Sequence, residues 1–159
     1  MLTDSQQRKL FEKLTESIKL ERFEPPRDSE REPDFTGRVL LPWLTIWVKG
    51  LNHPGLYVRG DGGPSVPPIT WQGITIFPDL VIVDGPSKYV ALEVKVISDV
   101  DPGGSLTKAV GQSVLYAKLG YENSIGMIFD IRRSSKPINQ VRVVEELEVS
   151  TNTSVFIFR

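Results

Sequence analysis

Leu10, Leu14 and Ile18 recur every four residues with Phe11 beside them, and this spacing predicts an amphipathic helix over residues 4–23 whose apolar side is ordinary packing surface. Asp4, with Gln7 three residues on, reads as its capping pair. Residues 24–34 carry Pro25, Pro26, Pro33 and seven charges, which is linker chemistry. A second helix is predicted over residues 39–48. Apolar residues are too frequent there for a surface helix, so most of its circumference should be buried, with Pro42 tolerated near the first turn.

Nine of the nineteen positions from 50 to 68 are Gly or Pro, a loop-forming stretch interrupted by a short strand at Leu56, Tyr57 and Val58. The pattern then becomes extended. Residues 69–76, 80–83 and 89–97 are rich in β-branched side chains and separated by turn residues, with 84–87 reading as a hairpin turn. Residues 105–120 return to helical spacing and stop at Gly120, 125–129 read as a buried strand, 138–148 as helix or strand, and 155–158 as a last strand. Gly60 to Pro64 is glycine-rich, yet no helix and no Lys-Ser/Thr follows, so it reads as a turn rather than a phosphate loop.

With 159 residues, 40% of them hydrophobic and 25% charged, the chain is long enough for one α/β domain with a real core. The absence of cysteine excludes disulfides, zinc–thiolate and iron–sulfur sites and a cysteine nucleophile. The single histidine, His53, excludes a multi-histidine metal centre, and its Pro/Gly-rich loop is no setting for a serine triad. Any metal must therefore be a hard cation on oxygen ligands. Nineteen basic against twenty acidic residues leave no basic coating, although residues 88–136 hold seven Lys or Arg against five acids. The first residues lack the apolar core of a signal peptide, and the greasiest run, 39–51, is shorter than the ~20 residues of a membrane span, so a cytoplasmic protein without membrane contact is expected.

Candidate chemistry concentrates in residues 89–97. A strand of period two sends Val90, Leu92, Val94 and Val96 to one face and Tyr89, Ala91, Glu93, Lys95 and Ile97 to the other, where Glu93 and Lys95 interrupt an apolar surface. Pairing Asp84 with Lys88 across a three-residue turn places Leu80 opposite Leu92 and Asp79 opposite Glu93. Two carboxylates so placed repel. A divalent cation between them, a protonated carboxyl and an ion pair to Lys95 are the three remedies.

Pro78-Asp79 followed by Glu93-Val-Lys95 in consecutive strands resembles the PD-(D/E)xK motif of restriction-endonuclease-like nucleases. Gln112 and Tyr116 on the next helix are similar to the Gln-x-x-x-Tyr element of RecB-like members, and Lys108 shares their helix face. The resemblance covers about residues 32–130. It implies an α/β restriction-endonuclease-like core with a central mixed sheet flanked by helices, and Mg²⁺-dependent (or Mn²⁺-dependent) hydrolysis of phosphodiester bonds, in DNA. Its further implications are a metal held by Asp79, Glu93 and the main-chain carbonyl of Val94, Lys95 acting on the attacking water, Gln112 orienting it, and Lys108 and Tyr116 binding substrate. An upstream acid is also implied, for which Glu32 is the first candidate and Glu21, Glu30 and Asp34 are competitors. Symmetric double-strand cutting by a chain of this size would require a homodimer. The alternative is a nuclease-fold module that binds nucleic acid or a protein without cutting.

Overall fold

The computed structural model describes residues 1–60, 66–133 and 143–159. The first apolar repeat folds as α1 (Asp4–Leu20), burying Leu10, Phe11, Leu14 and Ile18. Its cap is Thr3 and not Asp4. The Thr3 hydroxyl accepts from the Gln6 N–H while the Gln6 side chain accepts from the Thr3 N–H, a reciprocal box one residue earlier than the expected pair. The helix ends at Leu20 instead of running to 23, and Phe23 turns inward to become part of the core.

The charged linker is also shorter than its composition implies. α2 (Glu32–Phe35) starts inside it with Pro33 in the first turn, where the N–H that proline lacks is not needed. α2 continues through a π-helical turn at Thr36–Leu40 into α3 (Leu41–Gly50). Arg38 on that turn reaches back over the linker, placing Nε and Nη2 each 2.7 Å from one oxygen of Glu30 and Nη1 2.7 Å from Glu24. α3 buries Leu44 and Val48 but leaves Ile46 71% exposed, so less of its circumference is covered than expected. The indole N–H groups of Trp43 and Trp47 donate to Glu21 Oε2 and Ser17 Oγ, tying α3 to α1.

The extended segments become β1 (Leu56–Gly60), β2 (Ile69–Trp71), β3 (Ile74–Ile76), β4 (Leu80–Asp84) and β5 (Ser87–Ile97). After α4 (Pro102–Leu119) come β6 (Asn123–Asp130), β7 (Val143–Ser150) and β8 (Thr153–Phe158). Six strands form one mixed sheet in the order β1-β4-β5-β6-β8-β7, while β2 and β3 pair separately. β5, β6 and β8 are parallel, with α4 as the crossover that a parallel β5–β6 pair requires, and the remaining pairs are antiparallel. Of the segment 138–148, the part from 143 on is strand and 138–142 lie outside the described residues, as do 61–65 of the glycine-rich turn. What reads as one extended run at 69–76 is broken by Gln72 and Gly73, both in the left-handed region, which make a tight hairpin turn.

The β4–β5 register pairs Leu80 with Leu92 and Ile82 with Val90 as expected, but the turn holds two residues and pairs Asp84 with Ser87. A bulge absorbs the difference. Val83 pairs with Lys88, so Tyr89 has no partner on β4, and its ring joins Val90 in the core instead of sharing the face of Glu93.

The sheet is covered on both faces. On one, α1, α2 and α3 enclose Leu80, Leu92, Val94, Met127 and Phe156 together with Phe129, whose ring lies 4.6 Å from Phe35 edge-on and 4.7 Å from Phe158 stacked. On the other, α4 and the β2–β3 hairpin cover Val81, Val83 and Ala91, with Ile97, Ile128 and Val155 further along. Gly126 allows α4 to approach so closely: a Cβ there would lie 2.9 Å from Ser113 Oγ. Phe11, Phe23 and Phe158 belong to the same core as β4 to β6, so the segments outside the resemblance complete the domain. Among the described residues no helix is long and apolar enough to cross a membrane.

The Arg38 guanidinium, hydrogen bonded to Glu30, holds that carboxyl down from 4.5 to about 2. A depressed acid stabilises the fold above its unfolded value and loses that contribution as pH falls through the folded one. Glu30→Gln should therefore cost about 1 kcal/mol at pH 7, with the deficit shrinking from pH 4.5 toward pH 2, as measured by urea unfolding of parent and variant.

Candidate active site

β5 is longer than β4. β4 begins at Leu80, opposite Leu92, so the residues of β5 beyond Leu92 have β6 on one side and no strand on the other. Backbone groups on that open edge need partners, and side chains provide them. Asp79 Oδ2 accepts from the Val94 N–H at 2.7 Å, and Glu32 Oε2 accepts from the Val96 N–H at 3.2 Å. The Val94 carbonyl accepts from Lys95 Nζ at 2.9 Å. Asp79 is delivered by Pro78 at the entry to β4, where its own N–H donates to the Leu92 carbonyl, and Glu32 by the first residue of α2.

Lys95 Nζ stands among the acids: 2.7 Å from Glu93 Oε1, 2.8 Å from Glu32 Oε1 and 4.0 Å from Asp79 Oδ2. The carboxylates of Glu32 and Glu93 are shared in the same way, one oxygen on a protein donor and the other on the ammonium. For Glu93, which is buried, the protein donor is the Tyr116 hydroxyl at 2.8 Å from Oε2. Of the three remedies for two facing carboxylates, the structure displays the ion pair to lysine.

Three carboxyl groups and one ammonium in a half-dry pocket leave an excess of negative charge. Burial, with repulsion from Glu93 second, pushes the Asp79 carboxyl up from 3.8 to about 7, and burial likewise raises Glu93 against the pull of Lys95 and Tyr116. Burial opposes the charge on Lys95, yet the attraction of Glu93 and the hydrogen bonds to Glu32 and Glu93 outweigh it, and its pKa lies above the ordinary value. The donor set is all hard oxygen, with net negative charge and a main-chain carbonyl within it, which is the chemistry that Mg²⁺ or Mn²⁺ takes. Asp79, Glu93, the Val94 carbonyl and Glu32 are the groups able to hold such an ion. Among the described residues no three acids are spaced as ligands of a metal ion, and the three acids here converge on the ammonium of Lys95.

The other candidates fall into place around this cluster or away from it. Of the upstream acids, only Glu32 reaches Lys95: Glu21 accepts from Trp43, Glu30 pairs with Arg38, and Asp34 with Arg31 at 2.8 Å. Tyr116, read as a substrate contact, is fully buried and belongs to the core. Facing the sheet, it donates to Glu93 Oε2. Gln112, half-buried one turn earlier, approaches the Tyr116 hydroxyl at 3.4 Å, and Lys108 is exposed a further turn out. His53 lies apart in the turn before β1, with Nδ1 buried and unpaired among the described residues. What sequence reasoning missed is the role of the open β5 edge, which depends on the length difference between two strands and which no motif encodes.

An acid whose folded pKa lies above its unfolded value stabilises the fold below the unfolded pKa, and the contribution fades as pH rises through the folded one. Asp79 should therefore make the metal-free protein less stable as pH climbs from about 4 to about 7. Asp79→Asn keeps an oxygen for the Val94 N–H and removes the charge. At pH 8 without metal it should be more stable than the parent by an amount on the order of 2 kcal/mol, and the gap should close near pH 4 in thermal melts.

Glu93→Gln should lower the elevated pKa of Lys95 and loosen its ammonium, read by ¹⁵N or ¹³C NMR titration of lysine side chains.

No family model, curated protein or solved structure matches the chain. The functional reading therefore rests on the chemistry of the cluster at the β5 edge and on the resemblance of its residues to the PD-(D/E)xK motif.

Proposed function

We propose that the protein is a Mg²⁺-dependent nuclease that hydrolyses phosphodiester bonds in DNA, on a restriction-endonuclease-like core. The observation that carries this reading is the meeting of Glu32, Asp79, Glu93 and the Val94 carbonyl around Lys95 at the open edge of β5. When bound, the metal ion supplies charge stabilisation on the scissile phosphate and a more acidic water.

Asp79, Glu93 and the Val94 carbonyl would hold the ion, and Glu32 would add a fourth oxygen donor. Each carboxylate is aimed before substrate arrives, because one of its oxygens is already committed: Asp79 to the Val94 N–H, Glu32 to the Val96 N–H, Glu93 to Tyr116. Such preorganisation removes reorganisation from the reaction step. Lys95 is held protonated by its neighbours, so it orients the attacking water and offsets charge on the phosphate as a cation. Its four-carbon stem lets the ammonium swing out from between the acids while staying beside the reacting centre. Gln112, whose amide approaches the Tyr116 hydroxyl behind Glu93, would orient the water or a phosphate oxygen.

A second reading is a nuclease-fold module that binds without cutting. It is favoured by one observation, that Lys95 already neutralises Glu93 and Glu32 without any ion.

Incubation with labelled plasmid, linear and branched DNA separates the two. The nuclease reading expects cleavage with Mg²⁺ or Mn²⁺ that EDTA stops, and a loss of about 100-fold or more in kcat for Lys95→Ala with DNA binding retained. Binding without cleavage, unchanged by either ion, supports the module.

A further inference from the structure

The β2–β3 hairpin has an unusual surface. Ile69 and Ile76 at its root pack beneath it with Tyr116 and Tyr121, and a Cβ added at Gly120 would lie 3.5 Å from Ile69. The same face continues outward through the directly paired Trp71 and Ile74, which are 52% and 61% exposed, so the apolar stripe runs from the core into solvent. The tip is rigid in kind, since Gln72 and Gly73 both adopt the left-handed conformation of a two-residue turn and the Thr70 and Thr75 hydroxyls join across the opposite face. The strand that leaves the hairpin leads straight to the site: Ile76 is followed by Phe77, 40% exposed, then Pro78 and Asp79. At ~3.3 Å per residue Ile74 lies no more than about 17 Å from Asp79, and Trp71, paired directly with Ile74, no more than about 22 Å.

Charge on the surrounding surface says what such a face takes. Residues 66–78 and 102–121, the hairpin and α4, contain no acid, in a chain with twenty, while α4 carries Lys108 and Lys118. Aromatic and aliphatic side chains in an acid-free, lysine-bearing surround suit the flat faces of bases attached to a polyanion. A paired duplex does not offer those faces. Stacking on an exposed indole is available to bases already out of the helix.

We propose that the β2–β3 hairpin with Phe77 is a base-stacking arm, and that the substrate of the site is a single strand, or the unpaired part of a branched or frayed DNA, laid from Trp71 past Phe77 to Asp79. This rests on the nuclease reading for the chemistry at Asp79, whereas the arm itself is tested by binding alone.

The experiment measures binding of a fluorescein-labelled dT20 strand and of a blunt duplex of equal length to the full chain in EDTA, by anisotropy, for the parent, Trp71→Ala, Trp71→Phe and Lys95→Ala, with melting curves to confirm folding. The same proteins are then assayed for cleavage of single-stranded, forked and duplex DNA with Mg²⁺. The arm predicts that the single strand binds at least tenfold tighter than the duplex, and that Trp71→Ala weakens it by about tenfold and Trp71→Phe by much less. Tryptophan emission of the parent should be quenched by dT20, and the quench should be lost in Trp71→Ala. Equal affinity for duplex and single strand, or an unaffected Trp71→Ala, overturns the arm. So does a parent that sediments as a dimer and becomes monomeric in Trp71→Ala, because a second copy then occupies the face. Trp71-dependent binding without any cleavage upholds the arm and removes the nuclease reading. Duplex cleavage indifferent to Trp71 does the reverse.

Discussion

Everything at the candidate site follows from a strand that outruns its neighbour. Beyond Leu92 the backbone of β5 has lost β4 as a partner, and its N–H groups at Val94 and Val96 are bonded instead to the carboxylates of Asp79 and Glu32. A buried peptide group without a partner would cost more than a hydrogen bond is worth, so the edge itself recruits acids. Those acids, with Glu93 held from behind by Tyr116, then need a cation, and Lys95 from the same strand is the one the chain supplies. Charge at this edge is thus a consequence of sheet geometry.

The layers on either face make that geometry durable. The phenylalanine cluster around Phe129 and Phe158 fixes α2 against the sheet through Phe35, three residues after Glu32. The small contact between Gly126 and Ser113 seats α4 low enough for Tyr116 to reach Glu93. Neither contact touches the cluster, but each sets the position of one of its members. A site built on helices and strands in this way is held more tightly than one carried on loops.

Much of this was legible from residue pattern alone. The β-branched alternation located β4 and β5 and their register at Leu80–Leu92, and the resemblance of Pro78-Asp79 and Glu93-Val-Lys95 to a known motif picked out side chains that the fold brings together. Errors came where local rules have near-equal solutions. Thr3 and Asp4 are both good caps, and Thr3 won because Gln6 completes the reciprocal pair. Two- and three-residue turns both fit residues 84–88, and the bulge at Tyr89 decided the matter by burying a large ring. The burial of Tyr116 is not legible in the sequence, because a helical face says which residues align and not whether they look toward solvent or sheet. The acid-free surface of the hairpin and α4 was visible in the sequence but gains meaning only once the two are seen side by side.

The central claim is that the acids around Lys95 form a site for a hard divalent cation. Titration of Mn²⁺ into the protein, with free ion counted by electron paramagnetic resonance, tests it directly. The account predicts saturable binding in the parent, competed by Mg²⁺, and its loss in Glu93→Gln with the fold intact. No saturable Mn²⁺ binding, or binding of equal strength in Glu93→Gln, would contradict it.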